Sequence, residues 1–282
     1  MPELDMANFN FDGVTEEVID GVHWKYDMLR EIVTGVAKNK MRGAIIAGAP
    51  GIGKTWTVEE TLEEFTVLPD DSPEQKVVTR LKGHITPLEM YHIMGDHKGP
   101  ENVILLDDAD AAFTNNQSLN VLKAALDTLP RRRVTWGSSS PQVRFDEFVF
   151  EGGLIVITNS SLKSNPHYRA FTDRVHCVNF QLSNQERLVR IAEIAQIKGE
   201  VEPETAQKVV TWMTDYMDRI QDTLTLRSFT NIAELTWSPR WKELAEFTIL
   251  SNLDVLDNQD EGKKEKKRRR RRKSTKRPEQ FA

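Results

Sequence analysis

The stretch Gly48-Ala49-Pro50-Gly51-Ile52-Gly53-Lys54-Thr55 is the most informative part of the sequence. It fits the pattern G-x-x-x-x-G-K-[ST], in which glycines let the backbone turn so that successive N–H groups point at phosphate oxygens. The apolar run at residues 43–47 predicts a buried parallel strand, and residues 56–65 predict a helix. The alternative is a chance glycine-rich turn. Because strand, loop and helix follow in the order that the motif requires, the stretch predicts a nucleotide site.

Particular side chains in and after this motif predict a phosphate and metal site. Lys54 would contact the β- and γ-phosphates, and the Thr55 hydroxyl would ligate Mg²⁺. The nucleotide-binding residues are the eight of the motif together with Trp56. A second apolar run at residues 103–106 ends in Asp107 and Asp108, which could form an ordinary turn. Beside a P-loop strand, however, Asp107 is placed to hold Mg²⁺ and Asp108 to polarise an attacking water.

Composition bounds the class of protein. The chain has 282 residues, of which 39% are hydrophobic, enough for one large or two modest domains. The single cysteine, Cys177, excludes an internal disulfide and is expected to pack within an apolar strand. The polar, acidic start predicts no signal peptide, and no apolar run approaches a membrane helix. We therefore expect no membrane partner and a cytoplasmic location, that of the host for a phage protein, or a nuclear one for a eukaryotic protein.

The net charge of −5 conceals two oppositely charged parts. Between Lys263 and Arg277 the chain carries six lysines, six arginines and one glutamate, a net charge of +11, so the remainder carries −16. Such a tail would bind polyanions, with nucleic acid as the favoured partner. A nuclear-localisation-like signal and a solubilising charged tail are the alternatives.

Periodicity predicts strands alternating with helices, followed by helices alone. The predicted strands lie at residues 43–47, 75–81, 103–106, 154–157 and 175–182. A helix at 23–37 precedes them, and helices at 56–65, 86–94 and 118–129 lie between them. Further helices are predicted at 184–198, 204–220, 227–235 and 238–250. This alternation is typical of a parallel α/β domain followed by a small helical domain. The predicted division is a flexible arm at 1–21, the α/β domain at 22–183, a helical lid at 184–255 and a disordered basic tail at 256–282.

The order of these motifs resembles that of the AAA+ ATPase family over about residues 24–250. The P-loop and the strand ending in Asp107 and Asp108 match its Walker A and Walker B motifs. The resemblance implies a P-loop NTPase fold: a five-stranded parallel sheet of order 5-1-4-3-2, helices on both faces and a C-terminal helical lid. It also implies ATP and Mg²⁺ as substrate and cofactor. The compact size is similar to that of small AAA+ proteins encoded by bacteriophages.

The resemblance assigns further roles to four side chains. Asn159, at the end of the fourth strand, matches sensor 1, which places the attacking water; a turn asparagine is the alternative. Arg174 matches the arginine finger that enters a neighbouring subunit's site, with Arg169 as its rival. Arg227 matches sensor 2, which would bind the γ-phosphate in cis, against an ordinary exposed helix arginine. The chain departs from the family at Asp108, where glutamate is usual; aspartate is one methylene shorter, so the resemblance implies ATP binding but not fast hydrolysis.

The connection at residues 131–150 is predicted to form a β-hairpin. Arg131, Arg132 and Arg133, with an aromatic pair, could follow a phosphate backbone. Equally, Trp136 and Phe145 could belong to the core while the arginines form a solvated cap on the preceding helix.

Together these features predict an ATPase that couples hydrolysis to remodelling or translocation of nucleic acid, in a replication, loader or helicase-like role. A trans arginine implies a homo-oligomeric ring or spiral, commonly a hexamer. The alternatives are an AAA+ protein remodeller and a slowly hydrolysing, nucleotide-gated scaffold.

Overall fold

The computed structural model describes residues 14–69, 72–108, 115–138, 140–159, 172–199, 201–220 and 223–250. The chain divides into two compact units, one of Thr15–Glu186 and one that includes Arg187–Ala282. Most of the predicted arm and the whole segment between Lys263 and Arg277 lie outside the described residues. No helix in the described ranges is long and apolar enough to cross a membrane.

The first unit is an α/β domain. Its helices are α1 (Glu16–Ala37), α2 (Lys54–Thr66), α3 (Pro87–Asp96) and α4 (Asn116–Ala125). Its strands are β1 (Gly43–Gly48), β2 (Val77–Lys82), β3 (Asn102–Asp107), β4 (Arg133–Thr135), β5 (Glu147–Val149), β6 (Gly153–Thr158) and β7 (His176–Phe180). The four apolar runs predicted as strands β1, β3, β6 and β7 all form strands, and β2 extends one residue further than predicted.

The main sheet has five strands in the order β2-β3-β6-β1-β7, and each adjacent pair is parallel. Counting only these strands along the chain, the order from the β7 edge is 5-1-4-3-2, which confirms the predicted topology. Every residue of β3 and β6 is buried, as expected for central strands covered on both faces. The carboxyl ends of β1, β3 and β6 therefore meet at one edge of the sheet.

The core of this unit lies between the sheet and its helices. It contains apolar side chains from β1, β3 and β6 together with residues of α3 and α4, among them Ile45, Met90, Ile104, Leu122 and Val156. Burial of such side chains contributes about 1.5–3 kcal/mol each relative to exposure. The strands that carry the site residues are thus fixed within the buried core of the unit.

Helix α1 begins earlier than predicted. It starts at Glu16, so residues 16–21 of the predicted flexible arm are helical, and that part of the prediction was wrong. Glu16 and Glu17 in the first turn favour a helix start because they face the positive end of the helix dipole. Trp24 is 62% exposed, whereas Tyr26 is buried.

Strand β7 differs from its prediction in how far its side chains are buried. The sequence predicts a strand at residues 175–182 with Cys177 packed inside it, but β7 is an edge strand and Cys177 is exposed. Only Phe180 among its residues is buried, and β7 has a neighbouring strand on one side only. Desolvation by nearby groups, followed by the charge of Asp173, raises the pKa of the Cys177 thiol to about 11. His176, Asn179 and Gln181 interrupt this run, whereas the central runs at 103–106 and 154–157 are wholly apolar.

The second unit is helical. It contains most of α5 (Asn184–Lys198), then α6 (Pro203–Asp215), α7 (Met217–Ile220), α8 (Leu226–Leu235) and α9 (Trp241–Ala245), followed by a π-helical turn at Glu246–Leu250. The single helix predicted at 204–220 is interrupted at Tyr216, whose backbone leaves the helical region at φ −103° and ψ 8°. A separate core, including Leu188, Trp212 and Phe229, holds these helices together.

Candidate nucleotide site

The P-loop has the backbone geometry that its glycines were expected to allow. Strand β1 ends at Gly48, and α2 begins at Lys54 with Gly53 as its N-cap in the left-handed region, at φ 85°. Gly51 is also left-handed, at φ 71°. A side chain on Gly48 would place its Cβ 2.2 Å from the carbonyl oxygen of Phe180 on β7, so this position requires glycine. The loop therefore leads directly into the N-terminus of a helix, where backbone N–H groups can bind an anion.

Other residues of the motif lie around this turn. Ala49 and Thr55 are half-buried, Ile52 is buried and Pro50 is exposed. Trp56, in the first turn of α2, is half-buried.

Lys54 lies beneath the loop. Its side chain is 4% exposed. Its ammonium group donates to the carbonyl oxygens of Gly48, at 2.9 Å, and Ala49, at 2.7 Å. It also donates to Oδ1 of Asn159, at 3.1 Å. A buried cation thus stands at the phosphate-binding turn, held by the loop itself.

Thr55 and Asp107 meet across the edge of the sheet. Oγ1 of Thr55 donates to Oδ1 of Asp107 at 3.0 Å, although 52 residues separate them in the chain. Asp107 ends β3 and is 7% exposed. The two side chains predicted to share a metal are therefore adjacent, as the meeting of strand ends requires.

Asp108 and Asn159 form a second contact at the same edge. Asp108 follows β3 and has a left-handed backbone, at φ 53°. Aspartate is among the few non-glycine residues that are enriched in this region. Nδ2 of Asn159 donates to Oδ1 of Asp108 at 2.8 Å. Since Asn159 also accepts from Lys54, one amide connects the P-loop lysine with the second acid.

Lys82 is a site residue that the sequence reading missed. It ends β2, is the Cα partner of Asp107 in the parallel register, and its Nζ lies 3.1 Å from Oδ2 of Asp107. The hydrogen bond and charge of Asp107 raise the pKa of Lys82, even though its side chain is 68% exposed. Lys82 could be found only from the register between β2 and β3, which places the last residue of β2 beside the last residue of β3.

Tyr26 is a second residue that the motif did not reveal. Its hydroxyl donates to the carbonyl oxygen of Ile52, and its ring makes an edge contact with Phe180 at 4.9 Å. Helix α1 therefore supports the P-loop from the β7 side.

Arg174 lies at the opposite end of the sheet. Together with Gly43 and His176 it lines a cavity of about 350 Å³, which Arg42 and Arg132 also line. Gly43 is the first residue of β1 and Gly48 the last, so the strand separates this cavity from the P-loop by roughly 16 Å. Arg174 is thus remote from the P-loop of its own chain. Its rival Arg169 lies outside the described residues.

Arg227 belongs to the helical unit. It is exposed and is the second residue of α8. Thr225 caps this helix by accepting from the backbone N–H of Ser228, and Ser228 accepts in return from the backbone N–H of Thr225. The helix start is therefore fixed by its own capping box. Its predicted role as sensor 2 stays a prediction.

The predicted hairpin is present and its aromatic residues belong to the core. Strands β4 and β5 pair antiparallel. Trp136 contacts Tyr91 at 5.4 Å between ring centroids, and Phe145 contacts Phe148 at 6.1 Å. Of the two readings left open for this pair, packing in the core is the one observed.

The hairpin arginines are engaged within the unit. Arg132 donates to the carbonyl oxygens of Ala125 and Gly152, and desolvation followed by the charge of Arg42 lowers its pKa. Arg133 pairs with Glu147 at 3.2 Å. Arg131 is exposed, and the proposed nucleic-acid role of this hairpin stays a prediction.

The sheet order and the P-loop define a P-loop NTPase fold, with the topology that the resemblance to AAA+ ATPases implied. No family model matches the chain. An uncharacterised 36.7 kDa protein from the nrdC-mobD intergenic region of Enterobacteria phage T4 is 26% identical over 268 residues, covering 85% of this chain and 80% of that protein.

Two solved structures are similar at low identity. A mutant of RuvB from Thermotoga maritima gives a TM-score of 0.46 at 15% identity and covers 77% of this chain and 62% of that chain. Domain III of the Thermotoga maritima replication initiation protein DnaA gives a TM-score of 0.49 at 10% identity, covering 89% and 99%. The present chain thus spans less than two thirds of the RuvB chain.

Proposed function

We propose that this protein is an AAA+ ATPase that binds ATP with Mg²⁺ and hydrolyses it. The observation that carries the proposal is the convergence of five side chains from two strand ends and one helix. Lys54 contacts Asn159, Asn159 contacts Asp108, and Thr55 contacts Asp107. A chance glycine-rich turn would not require a threonine hydroxyl and a strand-end carboxylate to meet.

The donor set suits Mg²⁺. Thr55 Oγ1 and the Asp107 carboxylate are hard oxygen ligands, and Mg²⁺ in nucleotide sites commonly takes only one or two protein groups besides phosphates and waters. Among the described residues no group of three or more His, Cys, Asp or Glu could hold a metal alone. When bound with ATP, Mg²⁺ neutralises charge on the β- and γ-phosphate oxygens.

The remaining residues have separate tasks in this proposal. Lys54 exchanges its loop carbonyl partners for phosphate oxygens, which stabilise an ammonium group more strongly than neutral carbonyls do. Asp108 accepts a hydrogen bond from the attacking water and orients its lone pair towards the γ-phosphate. Asn159 keeps the Asp108 carboxylate at a fixed distance from Lys54.

A second copy of the chain would complete the nucleotide site by supplying an arginine. Arg174 lies near the amino ends of β1 and β7, remote from the P-loop of its own chain. A guanidinium in that position cannot reach the nucleotide of its own chain, whereas in another subunit's site it would stabilise charge on the transferred phosphoryl group. We therefore propose a ring or spiral of identical chains, with Arg174 acting in trans and Arg227 in cis.

Nucleic acid is the proposed macromolecular partner. The support is the net charge of +11 between Lys263 and Arg277, on a chain whose remainder carries −16. A dense basic segment binds phosphate backbones with little sequence preference and strong salt dependence. Hydrolysis would then drive remodelling or translocation of the bound strand.

The test measures ATP turnover with no additive, with single-stranded DNA, with duplex DNA and with an unfolded polypeptide, at low and high salt. We expect DNA to stimulate turnover at low salt and the stimulation to fall as salt rises. Stimulation by the polypeptide alone would favour a protein remodeller instead. Turnover absent under every condition, with tight ATP binding, would favour the nucleotide-gated scaffold.

A further inference from the structure

Both oxygens of the Asp107 carboxylate are occupied in the structure. Oδ1 accepts from Thr55 at 3.0 Å, and Oδ2 lies 3.1 Å from Nζ of Lys82. Asp107 is 7% exposed, whereas the Lys82 side chain is 68% exposed. The carboxylate therefore contacts a hydroxyl on its buried side and an exposed cation on its solvent side.

The contact between Lys82 and Asp107 follows from the sheet itself. β2 and β3 pair in parallel with Lys82 opposite Asp107, so the two side chains leave neighbouring strand ends in the same direction. Arg80, two residues earlier on the same strand, pairs with Glu59 of α2 at 3.7 Å. The end of β2 thus carries two cations, of which only Lys82 contacts the proposed metal ligand.

A buried carboxylate needs a compensating charge. Removing an ionised group from water is unfavourable unless an opposite charge or hydrogen bonds compensate. Thr55 supplies a neutral hydroxyl, and Lys82 supplies the positive charge. A metal ion placed at the same carboxylate would supply that charge in turn, so the lysine and the metal are alternatives at Oδ2.

We propose that Lys82 is a resident counter-ion of Asp107, which Mg²⁺ displaces when the metal nucleotide binds. This rests on the proposed binding of ATP with Mg²⁺. Because the lysine must leave the carboxylate first, it raises the Mg²⁺ concentration that the site needs. Because its long side chain is mostly in solvent, it can leave without disturbing the sheet. Lys82 is a positioning residue in this account, since it acts through Asp107.

The test compares wild type with Lys82→Met and with the matched control Arg80→Met, which removes a cation from the same strand away from Asp107. A fluorescent ATP analogue is titrated at increasing Mg²⁺ and, separately, in EDTA. With Lys82→Met we expect the Mg²⁺ concentration at half-saturation to fall about threefold, a size set by the exposure of the lysine. Binding in EDTA should be unchanged, and the melting temperature of the metal-free protein should fall. Lys82→Gln, which keeps a donor but no charge, should shift the Mg²⁺ dependence in the same direction.

Several results would overturn this role. An unchanged or increased Mg²⁺ requirement in both Lys82 variants, with normal wild-type binding, would do so and leave the proposed function intact. Weaker analogue binding in EDTA would show that Lys82 contacts the phosphates instead. An equal shift of the Mg²⁺ concentration at half-saturation in Arg80→Met would show that loss of any nearby positive charge has this effect, and not loss of the contact with Asp107. If wild type bound no analogue at any Mg²⁺ concentration, the proposed function itself would fall.

Discussion

Asn159 donates from Nδ2 to Oδ1 of Asp108 at 2.8 Å, while its own Oδ1 accepts from Lys54 at 3.1 Å. The two ends of one amide thus connect the ammonium group of Lys54 with the carboxylate of Asp108, which lies 54 residues later in the chain. An amide suits this position because it has a donor and an acceptor on the same planar group. Neither aspartate nor leucine could make both contacts.

Replacement of Asn159 by alanine should lower turnover and spare nucleotide binding. The Asp108 carboxylate loses its hydrogen bond to Asn159, so the water that it orients is less well placed. We expect kcat to fall about 10²-fold, the size typical for loss of one positioned hydrogen-bond donor. Steady-state ATPase assays with a parallel nucleotide titration measure the two effects. An unchanged kcat would remove Asn159 from the proposed mechanism.

Two substitutions of Asp108 should change ATP turnover in different directions. Asp108→Asn should retain ATP binding and reduce kcat by about 10²–10⁴-fold, since the amide is a poor base. Asp108→Glu adds the methylene that the AAA+ resemblance would include, and we expect its turnover to equal or exceed that of wild type. Single-turnover hydrolysis of bound ATP distinguishes the variants. Substantial turnover by Asp108→Asn would assign the water to another residue.

Much of this site could be predicted because strand ends in a parallel sheet must meet. The P-loop, Asp107, Asp108 and Asn159 each follow a short apolar run, and each run forms a strand whose carboxyl end lies at one edge. The identity of the side chains then sufficed to predict their proximity. The strand order followed from the resemblance rather than from the apolar runs, which carry no information about their neighbours.

The features that were missed depend on neighbours in space. Lys82 contacts Asp107 only because β2 pairs with β3 in a particular register, and Tyr26 reaches Ile52 from a helix early in the chain. Cys177 is exposed on β7, which is an edge strand of the sheet. Exposure at an edge is a property of the sheet and not of the local sequence.

Arg174→Ala tests the proposed action in trans. The variant alone should bind ATP normally and lose most turnover, because its P-loop is intact while its partner lacks the arginine. Mixing it with Lys54→Ala, which has the arginine but no functional P-loop, should restore part of the activity. The measurement is ATPase rate against mixing ratio. Strictly additive rates from the two variants would contradict a shared site.

Removal of residues 262–282 tests the basic tail. DNA affinity should fall, and the dependence of log K on log salt should become shallower, because fewer counterions are released on binding. Fluorescence anisotropy with labelled single-stranded DNA at several salt concentrations measures both quantities. Basal ATP binding should be unchanged in the truncated chain. Equal affinity and equal salt slope in the two chains would sink the proposed role of the tail.

Gly48 to Thr55 and the side chains around them are proposed to bind ATP. The most direct measurement is a titration of wild type, Lys54→Ala and the exposed-lysine control Lys38→Ala with a fluorescent ATP analogue in the presence of Mg²⁺, with melting temperatures to confirm folding. We predict saturable binding by wild type and by Lys38→Ala. In Lys54→Ala the affinity for the analogue should fall at least about 10²-fold, because charge-assisted hydrogen bonds to phosphate disappear. Equal binding by folded Lys54→Ala and wild type, or no binding by wild type, would contradict the proposal.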